Sequence, residues 1–457
     1  IRNSLTIICS YDKVIMMINI PPKENRFMKS IMNWVECSFI PKVTKIASQR
    51  HLVAIRDSFI AIMPITMVGS IAVLLNVFFR DIPTANGYTK FVEAMNPLIS
   101  INGIVWFASF AILSLAFVLS LGYNLAQSYK VNPIAGALVA FASFIALLPQ
   151  EAVFTTDING VATQVSSWGF LNVNYLGAQG IFPAMIIGFI SSIIYCKLMT
   201  HKVTIKLPDS VPPAVNKAFA SIIPGVVAIY VCSIISQVIF KLTNKSLIDI
   251  ISLYIQKPLL GLSQGLLSVV ILAFLIQFLW FFGLHGHNVL APILDGIYQP
   301  ALLANVEHIA KGGTVKTLPY LWTRGSFDAY LQLGGSGMTL ALIISIFIFS
   351  KKKANRAVSK MALPMGIFNI NEPMIFGMPI VLNPLYFIPF VLVSVVGAII
   401  AYVLTAIGVI PPVYVIVPWI MPTGLYAFFA TGGSIMAALV SILNIFVAFL
   451  IWTPFVL

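Results

Sequence analysis

Long apolar segments, almost free of charged side chains, recur along the chain. Nine of them are long enough to cross a hydrocarbon core about 30 Å thick at about 1.5 Å per helical residue. They cover approximately residues 58–79, 103–121, 131–148, 180–196, 219–240, 265–282, 333–349, 385–408 and 432–452. A tenth, weaker span covers about 286–303, contains Asp295 and ends near Pro300.

Two further apolar stretches, 361–383 and 412–430, are interrupted by prolines. Irregular backbone survives at membrane depth only where protein or a water-filled cavity satisfies its polar groups, so we interpret both stretches as re-entrant hairpins. The pattern therefore predicts an all-α integral membrane protein with about ten transmembrane helices and two re-entrant hairpins.

The composition agrees with this fold class. Of the 457 residues, 59% are hydrophobic and 9% are charged, whereas about 25% of the residues in soluble domains are charged. The four cysteines are scattered, without the spacing of a metal site or a disulfide framework. The sequence lacks a GxxxxGK[ST] phosphate loop, which argues against direct use of ATP. We expect no cofactor.

Basic residues between the spans indicate the orientation, because Lys and Arg accumulate on cytoplasmic loops. The basic loops 42–56, 197–217 and 351–360 fall on one side, whereas residues 150–179 on the other side contain no lysine or arginine. This predicts an even number of spans with both termini in the cytoplasm. The outer segment 241–264 fits less well, since it carries three lysines, and an amphipathic helix at the membrane surface would explain it.

The net charge of +13 is explained by this topology and by contact with the lipid bilayer rather than by nucleic-acid binding. Residues 1–27 differ from the rest, because their apolar patch is too short to span and they lack the features of a signal peptide. We interpret them as a tail whose native status is open, with Met28 or Met32 as candidate start positions.

One carboxylate lies where hydrocarbon or packed protein is expected. Glu372, in the run Asn371-Glu372-Pro373, is the only charged residue between positions 361 and 383. A charged side chain at that depth is costly, so in a membrane protein it is by default a functional-site candidate.

A second polar cluster follows the span 265–282 and contains Trp280, His285, His287 and Asn288. It is either an interfacial turn, with Trp280 at the headgroup level and the histidines bonded to backbone, or a functional site. Metal binding is a third interpretation, but two residues two positions apart on a helix point to nearly opposite faces, whereas metal-binding pairs usually lie four apart. We therefore expect no metal.

Taken in order, the amino-terminal spans, the Gly-Leu-His-Gly turn at 283–286, the basic segment at 351–360 and the Asn-Glu-Pro hairpin resemble a known family. The chain resembles enzyme IIC (EIIC), the sugar permease of the bacterial phosphoenolpyruvate-dependent phosphotransferase system (PTS). Within its glucose superfamily, the lactose, cellobiose and diacetylchitobiose branch is most similar. The resemblance covers residue 28 to the end.

The resemblance implies a homodimer in the bacterial plasma membrane. Its amino-terminal half, residues 28–257, would form the dimer scaffold, and its carboxy-terminal half, residues 258–457, would bind and translocate one disaccharide per subunit. Movement of the second half against the first would give alternating access.

The resemblance also assigns catalytic roles. Glu372 and His285 would meet the sugar C6 hydroxyl that is phosphorylated, as general base or by stabilising charge, and His287 is not excluded from this role. His287, Asn288 and Asn371, together with Glu372, would bind other hydroxyl groups.

An aromatic platform for a sugar ring would be supplied by Trp419, although a lipid-facing position explains this residue equally well. We expect Arg324 and Asp328 to pair locally on an outer loop, outside the site.

The phosphoryl donor would be a cytoplasmic IIB protein phosphorylated on cysteine, which is charged in turn by IIA. The chain ends at Leu457 directly after its last span, so we expect a separate IIB to dock on the basic segments 202–217 and 351–360.

Two other classes stay open on the sequence alone. An ion-coupled secondary sugar transporter would also place Glu372 and His285 at mid-membrane, but it would accumulate unmodified sugar. An intramembrane enzyme acting on a lipid substrate would work without phosphorylated IIB.

Overall fold

The computed structural model describes residues 37–38, 40–158, 161–208, 210–378 and 380–456. The chain divides into two units, Ile1–Ile46 and Ala47–Leu457. The first helix, α1, begins in the first unit, and all other elements belong to the second. The predicted tail, residues 1–27, lies outside the described residues.

The first part of the described chain is mainly helical. Its elements are α1 (Ile40–Ala47), α2 (Arg50–Ala61), α3 (Met63–Asn76), α4 (Ile82–Ala85), α5 (Thr89–Ser109), α6 (Leu113–Ser128), α7 (Pro133–Ile145), β1 (Glu151–Ile158), β2 (Val161–Trp168), α8 (Ile181–Thr200), α9 (Pro213–Ala220) and α10 (Ile222–Thr243). α6 packs against α2, α7 and α8. Fully buried Phe117 and Leu121 of α6 lie in this core.

The second part is also helical. Its elements are α11 (Leu247–Ile251), α12 (Lys257–Ser263), α13 (Leu266–Phe281), α14 (Gly286–Ile293), α15 (Gln299–Ala310), α16 (Arg324–Leu331), α17 (Thr339–Phe349), α18 (Lys353–Ile367), α19 (Glu372–Gly377), α20 (Pro384–Ala406), α21 (Leu425–Ala430) and α22 (Ile435–Val456). α20 packs against α13 and α22, and α22 also packs against α17.

Within the described residues, 8 helical stretches are long and apolar enough to cross a membrane, or up to 9 if Leu247–Ser263 and Leu266–Phe281, bent by 74°, count as one span. The prediction of a multi-pass helical membrane protein is confirmed. The predicted span 131–148 corresponds to α7, whose 13 residues are too few for a crossing by this measure. The prediction missed the helix before residue 103, since Thr89–Ser128 is a helical stretch of 40 residues.

The expectation of an all-α chain is wrong for one segment. β1 and β2 form a two-stranded antiparallel hairpin in which Glu151 pairs with Trp168. Both strands contain β-branched residues, with one valine, two threonines and one isoleucine in β1 and two valines and one threonine in β2, and such residues favour extended backbone. The absence of lysine and arginine from this segment indicated only the side of the membrane, not the conformation. The β-branched residues were the sequence signal for strands.

Both proline-interrupted stretches fold back on themselves. α18 and α19 pack together as a hairpin with its tip at residues 368–371. In the second stretch, residues 411–424 are largely irregular, and the backbone N–H groups of Tyr414 and Val415 donate to the carbonyl of Ala430. The segment 351–360, predicted as a basic loop, is mostly helical because α18 begins at Lys353.

A break between α16 and α17 interrupts the span Arg324–Phe349. The residues with positive φ in this break are Gly334, Gly335, Gly337 and Met338, and all four are buried. A glycine adopts such backbone angles without steric cost, so the glycine run permits the irregular backbone of this break inside the protein.

Side chains from other helices bond the backbone at this break. Asn444 Nδ2 donates to the carbonyl of Tyr330 at 3.0 Å, and Trp452 Nε1 donates to the carbonyl of Gly337 at 3.0 Å. The N–H of Gly337 donates to Gln277 Oε1 at 3.0 Å. These bonds replace the intrahelical pairs that the break removes, as buried backbone requires.

Candidate functional site

The turn between α13 and α14 presents the first histidine. Nδ1 of His285, the residue before α14, accepts a hydrogen bond from the backbone N–H of Asn288 at 3.3 Å, which caps the new helix. The His285 ring packs on Trp280, with the ring centroids 4.4 Å apart. Trp280 is 5% exposed, so it packs inside the protein against His285 rather than anchoring at the headgroup level.

Two glycines shape this turn. Gly283 has a φ of +77°, a region that favours glycine. A Cβ on Gly286 would overlap the backbone carbonyl of Ile276 in α13. The start of α14 therefore lies in direct backbone contact with α13, and steric packing fixes the position of His285.

His287 is the second residue of α14. Its ring lies 6.1 Å from that of His285, and it interacts electrostatically with the guanidinium group of Arg324. Nε2 of His287 is buried without a hydrogen-bond partner among the described residues. Asn288 contributes its backbone N–H to the cap, and the residue is exposed.

Glu372 is the first residue of α19, at the tip of the α18–α19 hairpin. The residue is exposed, and its carboxylate interacts electrostatically with the imidazole of His285. The structure thus brings together the two polar motifs that the sequence analysis selected from distant parts of the chain.

The neighbouring Asn371 anchors the hairpin tip. It is 4% exposed, and its Nδ2 donates to the carbonyl of Ser336 in the α16–α17 break at 2.9 Å. Gly335 has a φ of +93°, and a Cβ there would overlap the Asn371 side chain. The sugar-binding role of Asn371 stays a prediction, while its described contact is to the protein.

Trp419 lies in the irregular part of the second hairpin and is 50% exposed. It lines a cavity of about 130 Å³ whose polar side chains are Thr66, Asp295, Gln299, Arg324, Asp328 and Tyr426. A position on this cavity favours the platform interpretation over a purely lipid-facing one, and the platform role stays a prediction.

Arg324 was placed wrongly by the sequence analysis, because it begins α16 rather than lying on an outer loop. Its pairing with Asp328 is confirmed, with Nη1 donating to Oδ2 at 2.8 Å, and its Nε also donates to Asp295 Oδ1 at 3.2 Å. Asp328 in turn accepts from the hydroxyl of Tyr426.

The carboxylate of Asp295 is carried by a π-helical segment, Leu294–Tyr298, which joins α14 to α15. Such single-turn π segments occur frequently at functional sites. The resulting group of charged side chains lines the same cavity as Trp419.

No group of three His, Cys, Asp or Glu side chains that could hold a metal ion occurs within the part of the chain that the structure describes. The candidate site therefore has two polar groups. One is the Glu372 carboxylate, which interacts electrostatically with the His285 imidazole. The other is the half-buried Arg324 guanidinium between two carboxylates, on the cavity that Trp419 also lines.

Comparison with known proteins assigns the family. The model of the family "Phosphotransferase system, EIIC" matches residues 56–394, which is most of the chain. The chain belongs to the EIIC family of the phosphotransferase system. This EIIC protein is a multi-pass membrane permease component, as the resemblance implied.

Relatives of this EIIC protein match over most of their length. The cellobiose-specific EIIC component of Lactococcus lactis subsp. lactis (strain IL1403) is 40% identical, with 94% of this chain and 98% of that protein covered. The oligo-beta-mannoside-specific EIIC component of Bacillus subtilis (strain 168) is 35% identical, with 91% of each covered.

A solved structure agrees with this EIIC fold. It is the transporter ChbC, the IIC component from the N,N'-diacetylchitobiose-specific phosphotransferase system, which superposes with a TM-score of 0.85 at 32% identity. The match covers 93% of this chain and 96% of that chain. The EIIC-like fold prediction is therefore confirmed.

Three features that surround the candidate site of this EIIC protein were missed from the sequence: Asn369, the α16–α17 break and the bond of Arg324 to Asp295. The run Gly334-Gly335-Ser336-Gly337 at the start of a predicted span was a signal for the break. Charged Arg324 and Asp328 beside that span were a signal for buried function. Asn369 carried no comparable signal.

Proposed function

We propose that this EIIC permease binds a disaccharide of the cellobiose or diacetylchitobiose type and presents its C6 hydroxyl to a cytoplasmic IIB partner phosphorylated on cysteine and charged by IIA. The specificities of the relatives named above support such a sugar. The observation that carries the proposal is that the fold brings the Glu372 carboxylate near enough to the His285 imidazole for the two to interact electrostatically.

The bonds that form and break in this transfer belong to the sugar and to IIB, not to the permease. The sugar oxygen attacks phosphorus, the phosphorus–sulfur bond breaks and the cysteine thiolate leaves. The hydroxyl proton passes to the Glu372 carboxylate, which acts as general base. Positioning of the reactants and stabilisation of charge supply the rest of the rate enhancement.

His285 is suited to stabilise that transfer. Its Nδ1 accepts the N–H of Asn288, so the proton of the neutral ring lies on Nε2. Nε2 then donates a hydrogen bond to the reacting hydroxyl or to a phosphoryl oxygen. His287, two residues after His285, would bind other hydroxyl groups with Asn288.

The rest of the sugar would lie against Trp419. Carbohydrate sites combine an apolar platform with a few fixed polar groups. Around Trp419 the cavity offers the guanidinium of Arg324 and the amide of Gln299 as donors and Asp328 as an acceptor. Arg324 and Asp328, first expected to lie outside the site, therefore belong to the proposed sugar-binding surface.

The proposal is tested by Glu372→Gln and His285→Ala in liposomes supplied with phosphorylated IIB and cellobiose. We expect each variant to fold and to lose at least about 100-fold in the rate of sugar phosphate formation, as removal of an acid–base or stabilising group does. Binding of cellobiose should weaken less.

Matched controls are Glu307→Gln and His308→Ala, since Glu307 pairs with Lys311 at 2.6 Å and His308 bonds Thr317 at 2.8 Å. Neither control residue lines the cavity of Trp419. Near-normal phosphorylation by a site variant would show that the substituted residue does not belong to the site. Uptake of unmodified sugar that an uncoupler abolishes would indicate the ion-coupled alternative.

IIB would dock on exposed lysines of the two basic segments. Lys202, Lys217, Lys352 and Lys360 are exposed. Arg356 has a different role, since it donates to the carbonyls of Phe347 and Ser350 at the carboxyl end of α17. Lys352→Glu with Lys360→Glu should lower the IIB-dependent rate several-fold and reduce its salt dependence, and an unchanged rate would contradict this docking surface.

The proposed arrangement is a homodimer through residues 28–257 with both termini in the cytoplasm. α10 supports a contact face in that half, because Val226, Tyr230, Ile234 and Val238 are exposed apolar side chains on it. Mass measurement of the purified protein in detergent tests the dimer, and labelling of cysteines introduced at each end tests the orientation.

A further inference from the structure

Asn369 lies at the tip of the α18–α19 hairpin, three residues before Glu372. It has a φ of +63° and is 9% exposed. Its Nδ2 donates to two backbone carbonyls of the second hairpin, those of Trp419 and Met421, each at 2.9 Å. The side chain therefore joins the two hairpins directly.

The other end of the amide faces the α16–α17 break. Oδ1 of Asn369 accepts from the N–H of Gly334 at 3.0 Å and from the hydroxyl of Thr423 at 3.4 Å. A flipped amide would set its NH₂ group against a donor and its oxygen against two carbonyls, so the partners fix its orientation. One side chain thus links three separate segments.

Val417 is packed in the core, but the residues 418–420 that follow it are exposed. This segment is irregular, and its turn is closed by one backbone bond from the Met421 N–H to the Pro418 carbonyl at 2.9 Å. The indole is half exposed, so packing does little to hold it. Besides the core packing of Val417 and Met421, the two bonds from Asn369 are the side-chain contacts that tie Trp419 to the hairpin of Glu372.

We propose that Asn369 is a positioning residue that locks the second hairpin onto the first, so that Trp419 and Glu372 engage the same sugar molecule. This inference rests on the proposed function and deepens it. Asn369 itself contacts backbone and the Thr423 hydroxyl, and it acts on the sugar through Trp419.

The variant that isolates this role is Asn369→Asp. Aspartate tolerates a positive φ and keeps the acceptor for Gly334, but it loses the donor and places an oxygen against two carbonyls. The matched control is Asn444→Asp, because Asn444 Nδ2 also donates to two buried carbonyls, those of Tyr330 and Gly397, and touches neither hairpin tip.

The first measurement is a double-mutant cycle with Trp419→Ala, reading binding of radiolabelled cellobiose to the purified permease in detergent. We expect Asn369→Asp and Trp419→Ala each to weaken binding about tenfold and the double variant also about tenfold, since both act through one contact. Asn444→Asp should combine with Trp419→Ala additively. A double variant about 100-fold weaker would overturn the proposal.

The second measurement does not need the sugar. Hydrogen exchange of the peptide 412–424 should quicken at least about tenfold in Asn369→Asp and stay unchanged in Asn444→Asp. Unchanged exchange in Asn369→Asp overturns the proposal even if Trp419 proves dispensable for binding. Failure of the unsubstituted protein to bind cellobiose or diacetylchitobiose would instead contradict the proposed function.

Discussion

The turn that carries His285 is held by steric packing, whereas the hairpin tip that carries Glu372 is held by hydrogen bonds. At the turn, Gly286 lies against the backbone of Ile276 and the His285 ring covers Trp280. At the tip, Asn369 and Asn371 bond backbone groups of other segments.

The difference has a physical consequence for the two halves of the site. Steric contacts are short-ranged and fail abruptly when volume is added. Buried hydrogen bonds fail when one partner is removed, by the desolvation cost of the group left behind. The position of the His285 imidazole therefore depends on steric fit, and the position of the Glu372 carboxylate depends on buried hydrogen bonds.

The largest effect is expected for Gly286→Ala. The added Cβ cannot coexist with the Ile276 carbonyl, so α14 must shift, at a cost of about 3 kcal/mol. Thermal unfolding in detergent should show a clearly lower midpoint, and phosphorylation should fall with it. The control is Gly261→Ala on α12, where a Cβ meets open space. A Gly286→Ala protein as stable as this control would show that the turn is not sterically held.

A smaller effect is expected for Asn371→Asp. The change removes the donor to the buried Ser336 carbonyl, which costs about 1–2 kcal/mol. Denaturant titration of the purified protein measures this loss. Asn86→Asp is the control, because exposed Asn86 makes the same kind of bond, to the Ile82 carbonyl at 2.8 Å, and water can replace it. Equal losses in the two variants would contradict polar anchoring of the tip.

The smallest effect is expected for Trp280→Phe. Trp280 Nε1 is buried without a partner among the described residues, so losing that N–H removes no bond, and an aromatic ring still supports His285. The stability loss should stay below about 1.5 kcal/mol, with phosphorylation nearly unchanged. A loss of phosphorylation as large as that of His285→Ala would mean that the indole N–H has a polar role.

Much of the architecture could be predicted because its signals are local. Apolar segments of membrane-spanning length appear directly in the sequence, and a lone carboxylate such as Glu372 is conspicuous inside one of them. Two histidines beside glycines, in the run Gly283-Leu284-His285-Gly286-His287, were equally visible. These signals identified both polar motifs and, with the family resemblance, the permease fold.

The rest depends on partners distant in sequence. Asn369 resembles any turn asparagine until the chain brings the carbonyls of Trp419 and Met421 to it. The second bond of Arg324, to Asp295, needs α14–α15 beside α16. Hydropathy also cannot predict the β-hairpin. Strands outside the hydrocarbon are indicated by β-propensity, not by an apolar segment of membrane-spanning length.

The break between α16 and α17 has a consequence for the insertion and folding of the chain in a bilayer. Its carbonyls are bonded by Asn444 and Trp452 of α22, the last described helix. Before α22 inserts, those groups have no partner, at a cost of several kcal/mol each in hydrocarbon. We therefore expect insertion intermediates that lack this helix to have unbonded carbonyl groups at the break.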